Sequence, residues 1–180
     1  VERFKSQEGK EVIKMKKSAI LFIILSFILS ISSGIRTLFG ESSQQKVTYP
    51  KDYRNWTHVK SMVIQQGHPL FEAFGGIHHI YANGKALEAM TSGKSYPDGA
   101  ILVFDLLEAK VENNAIVEGP RKVLGVMEKN AKNFSETGGW GFEAFKDDTQ
   151  ERVVKDPKND CFSCHASQTK TDFVFSSFRK

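Results

Sequence analysis

Cys161 and Cys164, the two cysteines of the chain, stand three positions apart and are followed at once by His165. Cys-x-x-Cys-His is the attachment sequence for c-type haem. Two thiols at this spacing can add to the two vinyl groups of one porphyrin, and the adjacent imidazole then falls under the iron as its proximal ligand. Other chemistries of paired cysteines fit less well. A structural zinc site needs four ligands, and there is no second cysteine pair to complete one. A thioredoxin-like redox pair belongs near a helix start in a βαβ unit, whereas this motif follows a Lys/Asp/Pro-rich stretch, Lys155 to Asp160, close to the C-terminus. A disulfide between the two would close a tiny loop and gain little. The motif therefore predicts one covalently attached haem c, with Cys161 and Cys164 as its attachments and His165 as the iron ligand.

The N-terminal region agrees with an exported cytochrome. Ala19 to Ile31 is apolar apart from Ser26 and Ser30, and it follows Lys14-Met15-Lys16-Lys17. A basic flank, a short apolar run and then small residues form the pattern of a secretory signal. Cleavage after Ser32 or Gly34 fits, and Met15 is a plausible initiator. The run is short against the roughly 20 residues of a membrane-spanning helix; an uncleaved anchor is the alternative. The expected organisation is residues 1–34 as upstream extension and signal, 35–47 as linker, and 48–180 as one haem-binding domain, periplasmic or otherwise extracytoplasmic.

Charge narrows the partners. Of 25 basic and 21 acidic residues, seven basic and three acidic ones lie within residues 1–40, leaving 18 of each in the body. A neutral body lacks the surplus Lys and Arg that phosphate contacts demand, which argues against nucleic acid. Hydrophobic residues make up 40% of the chain, enough for a globular core.

The elements that must position the motif read as mainly β. Ile77–Ala82, Ala100–Leu107, Arg121–Glu128 and Trp140–Phe145 are apolar or alternating runs bounded by turn residues. A short helix over Asp52–Trp56 opens the domain, and Asn83 can cap a helix running to Met90. Pro97-Asp98-Gly99 delivers the chain into the second strand, Asn113-Asn114 and Gly119-Pro120 mark the loop before the third, and Gly138-Gly139 precedes the fourth. The spacings are too short for βαβ crossovers. The expected fold is α+β, a mainly antiparallel sheet with a few short helices, with haem c bound near the C-terminus.

Taken in order, Tyr49-Pro50, Tyr53-Arg54-Asn55-Trp56, His79-Ile80-Tyr81-Ala82-Asn83, Pro97-Asp98-Gly99, Gly138-Gly139-Trp140, Cys161-Phe162-Ser163-Cys164-His165 and Asp172-Phe173-Val174-Phe175 resemble the cytochrome P-460 family, which includes the beta-type cytochromes c-prime. The resemblance spans about Thr48 to Phe178. It implies a homodimer with one haem c per chain and an open distal iron position. Two functions divide the family. Cytochromes P-460 proper oxidise hydroxylamine and carry a lysine cross-linked to the porphyrin, whereas the beta-type cytochromes c-prime lack that lysine, cap the iron with phenylalanines and bind nitric oxide. The resemblance places the cross-linking position five residues past the glycine of the Asp-Gly turn, where this chain has Phe104. Lys85 and Lys94 lie elsewhere.

Candidate distal residues follow. Phe104 shares a strand face with Ala100, Leu102 and Leu106 by the two-residue period, as core or as a cap that restricts the iron to small ligands. His78 and His79 are consecutive and must face opposite ways, so one can point inward as a core histidine, a distal proton donor or a sixth ligand. Phe71 and Phe74 can pack in the core or form a lid. Glu143 reads as a solvated strand residue or a distal acid, and Met127 as core or an axial thioether. Arg54 is a candidate propionate partner, and His68 reads as a surface residue. The expected function is an exported monohaem cytochrome that binds nitric oxide or a related small nitrogen ligand and meets an unidentified redox partner. The alternatives are a hydroxylamine-oxidising enzyme and a six-coordinate electron-transfer cytochrome.

Overall fold

The computed structural model describes residues 45–179. Five strands form one antiparallel sheet in sequence order: β1 (Thr57–Ile64), β2 (Gly76–Ala82), β3 (Ile101–Glu112), β4 (Ala115–Lys129) and β5 (Trp140–Lys146). Two helices interrupt the meander, the single turn α1 (Phe71–Phe74) and α2 (Gly84–Ser92). The α+β class expected from the sequence is the one observed. The proposed signal, and the linker as far as Gln44, lie outside the described residues.

Local chemistry explains most boundaries. Asn83 caps α2 as expected, its Oδ1 accepting from the Ala86 amide at 3.0 Å. The same oxygen accepts from the Ile101 amide at 3.1 Å, and its Nδ2 donates to the Gly99 carbonyl at 2.9 Å, so one side chain ties the helix start to the start of β3. Gly93 ends α2 in the left-handed region at φ 68°, where a glycine carries no Cβ penalty.

The structure corrects the sequence reading at four points. β1 was not predicted, because a register shift between His58 and Lys60 breaks its alternation and most of this edge strand is exposed. The opening helix is a single 3-10 turn, Tyr53–Asn55. Asn113 and Asn114, at φ 50° and 63°, are the two-residue turn of the long β3–β4 hairpin. Gly119-Pro120 is strand rather than loop. Leu107 pairs with Arg121 and Ala109 with Glu118, so Gly119 and Pro120 face Glu108 alone, in a bulge that tolerates a missing amide donor.

The two faces of the sheet differ. Directly paired residues of neighbouring strands point to the same side. One side carries Tyr81, Val103, Val126 and Glu143 in one row, and His79, Asp105, Leu124 and Phe145 in the next. Val47, Tyr53 and Phe134 cover it, and Val103, Leu124, Val126 and Phe145 are buried. Asp105 is fully buried there. It accepts from Tyr53 Oη at 2.6 Å, Arg54 Nη2 at 3.1 Å and Arg121 Nε at 2.7 Å. Burial alone pushes its carboxyl upward, but the bonds from Arg121 and Tyr53 and the two guanidinium charges outweigh that and hold it below the ordinary carboxylate range. Tyr53, buried against the same carboxylate, is pushed up to about 12.

The other side carries Ala82-Leu102-Met127-Phe142, then Ile80-Phe104-Gly125-Ala144, then His78-Leu106-Val123-Lys146. Its first row packs with Ala86 and Ala89 of α2, Tyr96, Trp140 and the C-terminal segment. In the third row, His78 is tied to α1 through the Phe74 carbonyl. All four residues of the middle row stay half-buried. Along β4 the contrast is plain: Leu124 and Val126 are buried, whereas Val123, Gly125 and Met127 on this side are not.

Candidate functional site

The Cys-x-x-Cys-His motif lies in a C-terminal helical segment that runs from Lys158 to Phe162 as a wide π-type turn, tightens to an α turn over Ser163–His165 and ends as a 3-10 turn at Thr171. Asp156 starts it, Oδ1 accepting from the Lys158 and Asn159 amides at 3.0 and 3.1 Å. Cys161 and Phe162 pack against the half-open side of the sheet, in the cluster that holds Leu102, Trp140 and Phe142. Cys161 is half-buried, Cys164 is exposed, and both are free thiols. Burial raises the Cys161 thiol to about 11, helped by the charges of Asp160 and Glu143, so it rests protonated rather than as a metal-ligating thiolate. No group of three or more metal-binding side chains occurs among the described residues.

His165 is held in a fixed orientation. Its Nδ1 bonds the Phe173 backbone carbonyl at 2.8 Å. A carbonyl can only accept, so the proton sits on Nδ1 and the Nε2 lone pair is free. Burial lowers its pKa, with the Phe173 carbonyl opposing only in part, which keeps the imidazole neutral. The rings of Phe142 and Phe175 lie 5.0 Å from it, both at a steep angle, and fix its plane. A neutral imidazole whose second nitrogen donates to a carbonyl is the arrangement iron ligation requires. These residues therefore fit a haem: two thiols free to react, an oriented imidazole, and an apolar sheet face partly uncovered beside them.

Of the distal candidates, the structure brings Phe104, His78 and Phe74 together. Phe104 stands at the centre of the half-open row, its ring 4.6 Å from that of His78 and 5.8 Å from that of Phe74, both edge-on. His78 is 2% exposed, and its Nε2 bonds the Phe74 carbonyl at 2.7 Å, so Nε2 carries the proton. Its Nδ1 is buried with no partner. Burial chiefly lowers its pKa and leaves it neutral. Phe74 is 40% exposed, while Phe71 lies half-buried in the same turn.

The remaining candidates are not brought to this group. His79 points to the closed side, where Nδ1 meets Ser61 at 2.7 Å and Nε2 meets Glu118 at 2.6 Å. Glu143 also belongs to that side and pairs with Arg152 at 2.6 Å. Arg54 is spent on Asp105, and His68 accepts from the Leu70 amide in an exposed turn. Met127 sits in the half-open face's first row, packed against the core between Leu102 and Phe142. Lys85 donates to the Asp98 carbonyl at 2.8 Å, and Lys60, in register with Ile80 of the middle row, is exposed on the edge strand. A groove of about 350 Å³ lies elsewhere, between Phe71, Ile64 and the β3–β4 arm. It contains none of the motif residues.

The sequence reading missed the floor itself, Ile80, Gly125 and Ala144. One signal was available: a glycine inside an otherwise alternating strand marks a place where another group approaches the backbone. The nearest atoms a Cβ at Gly125 would meet belong to Phe104, at 3.4 Å, an ordinary contact, so folding alone does not demand a glycine there.

A family model described as Cytochrome P460 matches residues 50–176. No curated protein matches the chain.

Proposed function

The chain belongs to the cytochrome P460 family and is thus a haem protein, and from that premise we propose that it is an exported monohaem c-type cytochrome that binds nitric oxide or a related small nitrogen ligand. Cys161 and Cys164 would hold the porphyrin as thioethers, and His165 Nε2 would ligate the iron. When bound, the haem supplies an iron position open to a small ligand. One observation carries the reading: from β2 to β5 the middle row of the half-open face is apolar, with Phe104 near its centre, and the lysine in register with that row, Lys60, lies exposed on the edge strand β1.

The side chains act by exclusion. Phe104 and Phe74, packed edge to face, are apolar and would keep water and larger ligands away. The one N–H of His78 is committed to the Phe74 carbonyl, so it gives no hydrogen bond to a bound ligand. Dioxygen, which gains from such a donor, is disfavoured, whereas nitric oxide needs none. His165 stays neutral and oriented through Phe173. The periplasmic location and the homodimer belong to the same proposal and rest on the leader pattern and the family resemblance.

A second reading, hydroxylamine oxidation, draws on the unpartnered Nδ1 of His78, a buried base beside Phe104. The optical spectrum of the ferrous protein, recorded before and after adding nitric oxide, separates the two. A high-spin spectrum that changes with the gas is expected. A Soret band shifted toward about 460 nm, the feature that names the family, would mean a cross-linked haem and hydroxylamine chemistry. A low-spin spectrum indifferent to the gas would mean a filled sixth position and electron transfer.

A further inference from the structure

Behind His165 lies a second layer that the haem motif does not account for. The carbonyl that holds its Nδ1 belongs to Phe173, and Phe173 and Asp172 both adopt left-handed backbone, at φ 67° and 52°. Two consecutive non-glycine residues in that region are held there only by their surroundings. Those surroundings are specific. Lys129 Nζ donates to Asp172 Oδ1 at 2.7 Å and to the Gly138 carbonyl at 3.1 Å, and it sits 5.0 Å over the Trp140 ring. The Tyr96 amide donates to Asp172 Oδ2 at 3.0 Å. The Trp140 indole donates to the Asp172 carbonyl at 2.8 Å, and the Phe173 amide donates to the Gln168 carbonyl at 2.7 Å. Lys129 is only 9% exposed, an uncommon position for a lysine, and Trp140 is fully buried. Gly138 faces the Phe173 ring so closely that a Cβ there would lie 2.4 Å from it.

We propose that Lys129 and Asp172 are positioning residues for the haem: their ion pair locks the Asp172–Phe173 turn, and the turn aims the Phe173 carbonyl at His165 Nδ1 and so sets the strength of the iron–imidazole bond. The proposal rests on His165 as the iron ligand. A firm hydrogen bond to Nδ1 raises the basicity of Nε2 and strengthens its bond to iron, and a loosened one weakens it. The effect passes through the Phe173 carbonyl. The pair joins the end of β4 to the last turn of the chain, so the sheet and the motif hold the ligand in common.

The test is the iron–histidine stretching band in the resonance Raman spectrum of the ferrous haem-loaded protein, with Lys129→Met, Asp172→Asn and Lys129→Arg beside the natural chain. The band should move to lower frequency in Lys129→Met and Asp172→Asn, and return toward its natural position in Lys129→Arg, which restores the ion pair. Asp172→Asn keeps the shape of the side chain, so it serves where Lys129→Met fails to fold. An unmoved band in variants whose melting temperature has fallen would overturn the proposal and leave the pair a merely structural contact. Absence of the band from the natural protein, or its persistence in His165→Ala, would instead overturn His165 as the ligand.

Discussion

The two faces of the sheet use the same strands in opposite ways. On the closed side the residues of the central strands β3 and β4, Val103, Asp105, Leu124 and Val126, are buried by the chain itself, and a charged network is sealed with them: Asp105 is fully exhausted by Tyr53, Arg54 and Arg121, and Arg121 reaches on to Asp148. On the other side α2 covers one end and α1 the other, and the middle row of Ile80, Phe104, Gly125 and Ala144 is left half-covered. Folding explains the first face completely. The second keeps apolar residues half-bare, and Cys161 and Phe162 of the Cys-x-x-Cys-His segment pack beside its first row. The difference teaches where to look for function: a self-satisfied face is structural, while a face with apolar residues left partly bare is the place to test for a seat.

Substitutions can break or sharpen this contrast. Asp105→Ala should act most strongly, and on the closed face alone. It leaves the Arg121 guanidinium, 8% exposed at its side chain, without its buried partner, a change that costs about 3–5 kcal/mol. Urea unfolding should show that loss, while the haem spectrum of the molecules that remain folded stays the same. A changed spectrum would mean the two faces are not independent.

Gly125→Leu should do the reverse. The side chain enters the gap beside Phe104, so haem content per purified chain should drop about tenfold, as expected for an overpacked site at about 1–3 kcal/mol, while circular dichroism keeps its β signature. Full haem loading in this variant would show that the middle row is not the seat.

Acidity separates the faces by their titrating groups. Asp105 has a folded-state pKa held below its ordinary 3.8, so its contribution is present above that value and is lost as pH falls through the depressed one. His78 is held below its ordinary 6.5 by burial. Its neutral form favours the folded state, and stability falls as pH drops beneath 6.5 and the unfolded chain takes up the proton first. The urea midpoint should therefore decline from about pH 6.5 downward and again below about pH 4. His78→Gln should shrink the upper decline, leaving the part that comes from His165, which burial also holds below 6.5, and should not touch the lower one. Asn83→Ala should have the smallest effect, about 1 kcal/mol in the same assay from the lost cap.

How much of this was legible beforehand follows from what each feature depends on. The haem motif is contiguous and its chemistry fixes its spacing, so Cys161, Cys164 and His165 stood out at once. Four of five strands and the Asn83 cap were readable because alternation and capping are local. β1 was not, because an exposed edge strand with a register shift has no clean period. The opposite facing of His78 and His79 followed from the strand period, but which of them turned inward depended on the register with β3. Lys129 and Asp172 lie 43 residues apart, and their pairing could be seen only once β4 and the C-terminal turn were in place. The Phe173 carbonyl was hidden for a different reason: a backbone group leaves no mark in composition.

The central claim is that the half-open face seats a haem bound covalently through the C-terminal motif. Intact mass of the purified protein under denaturing conditions, combined with the pyridine haemochrome spectrum, tests this most directly. The account predicts one haem per chain that survives denaturation, shows the band of a haem whose two vinyl groups are saturated, and is lost from the Cys161→Ser/Cys164→Ser variant. A chain that carries no haem, or one whose haem is extracted on denaturation with both cysteines intact, would contradict it.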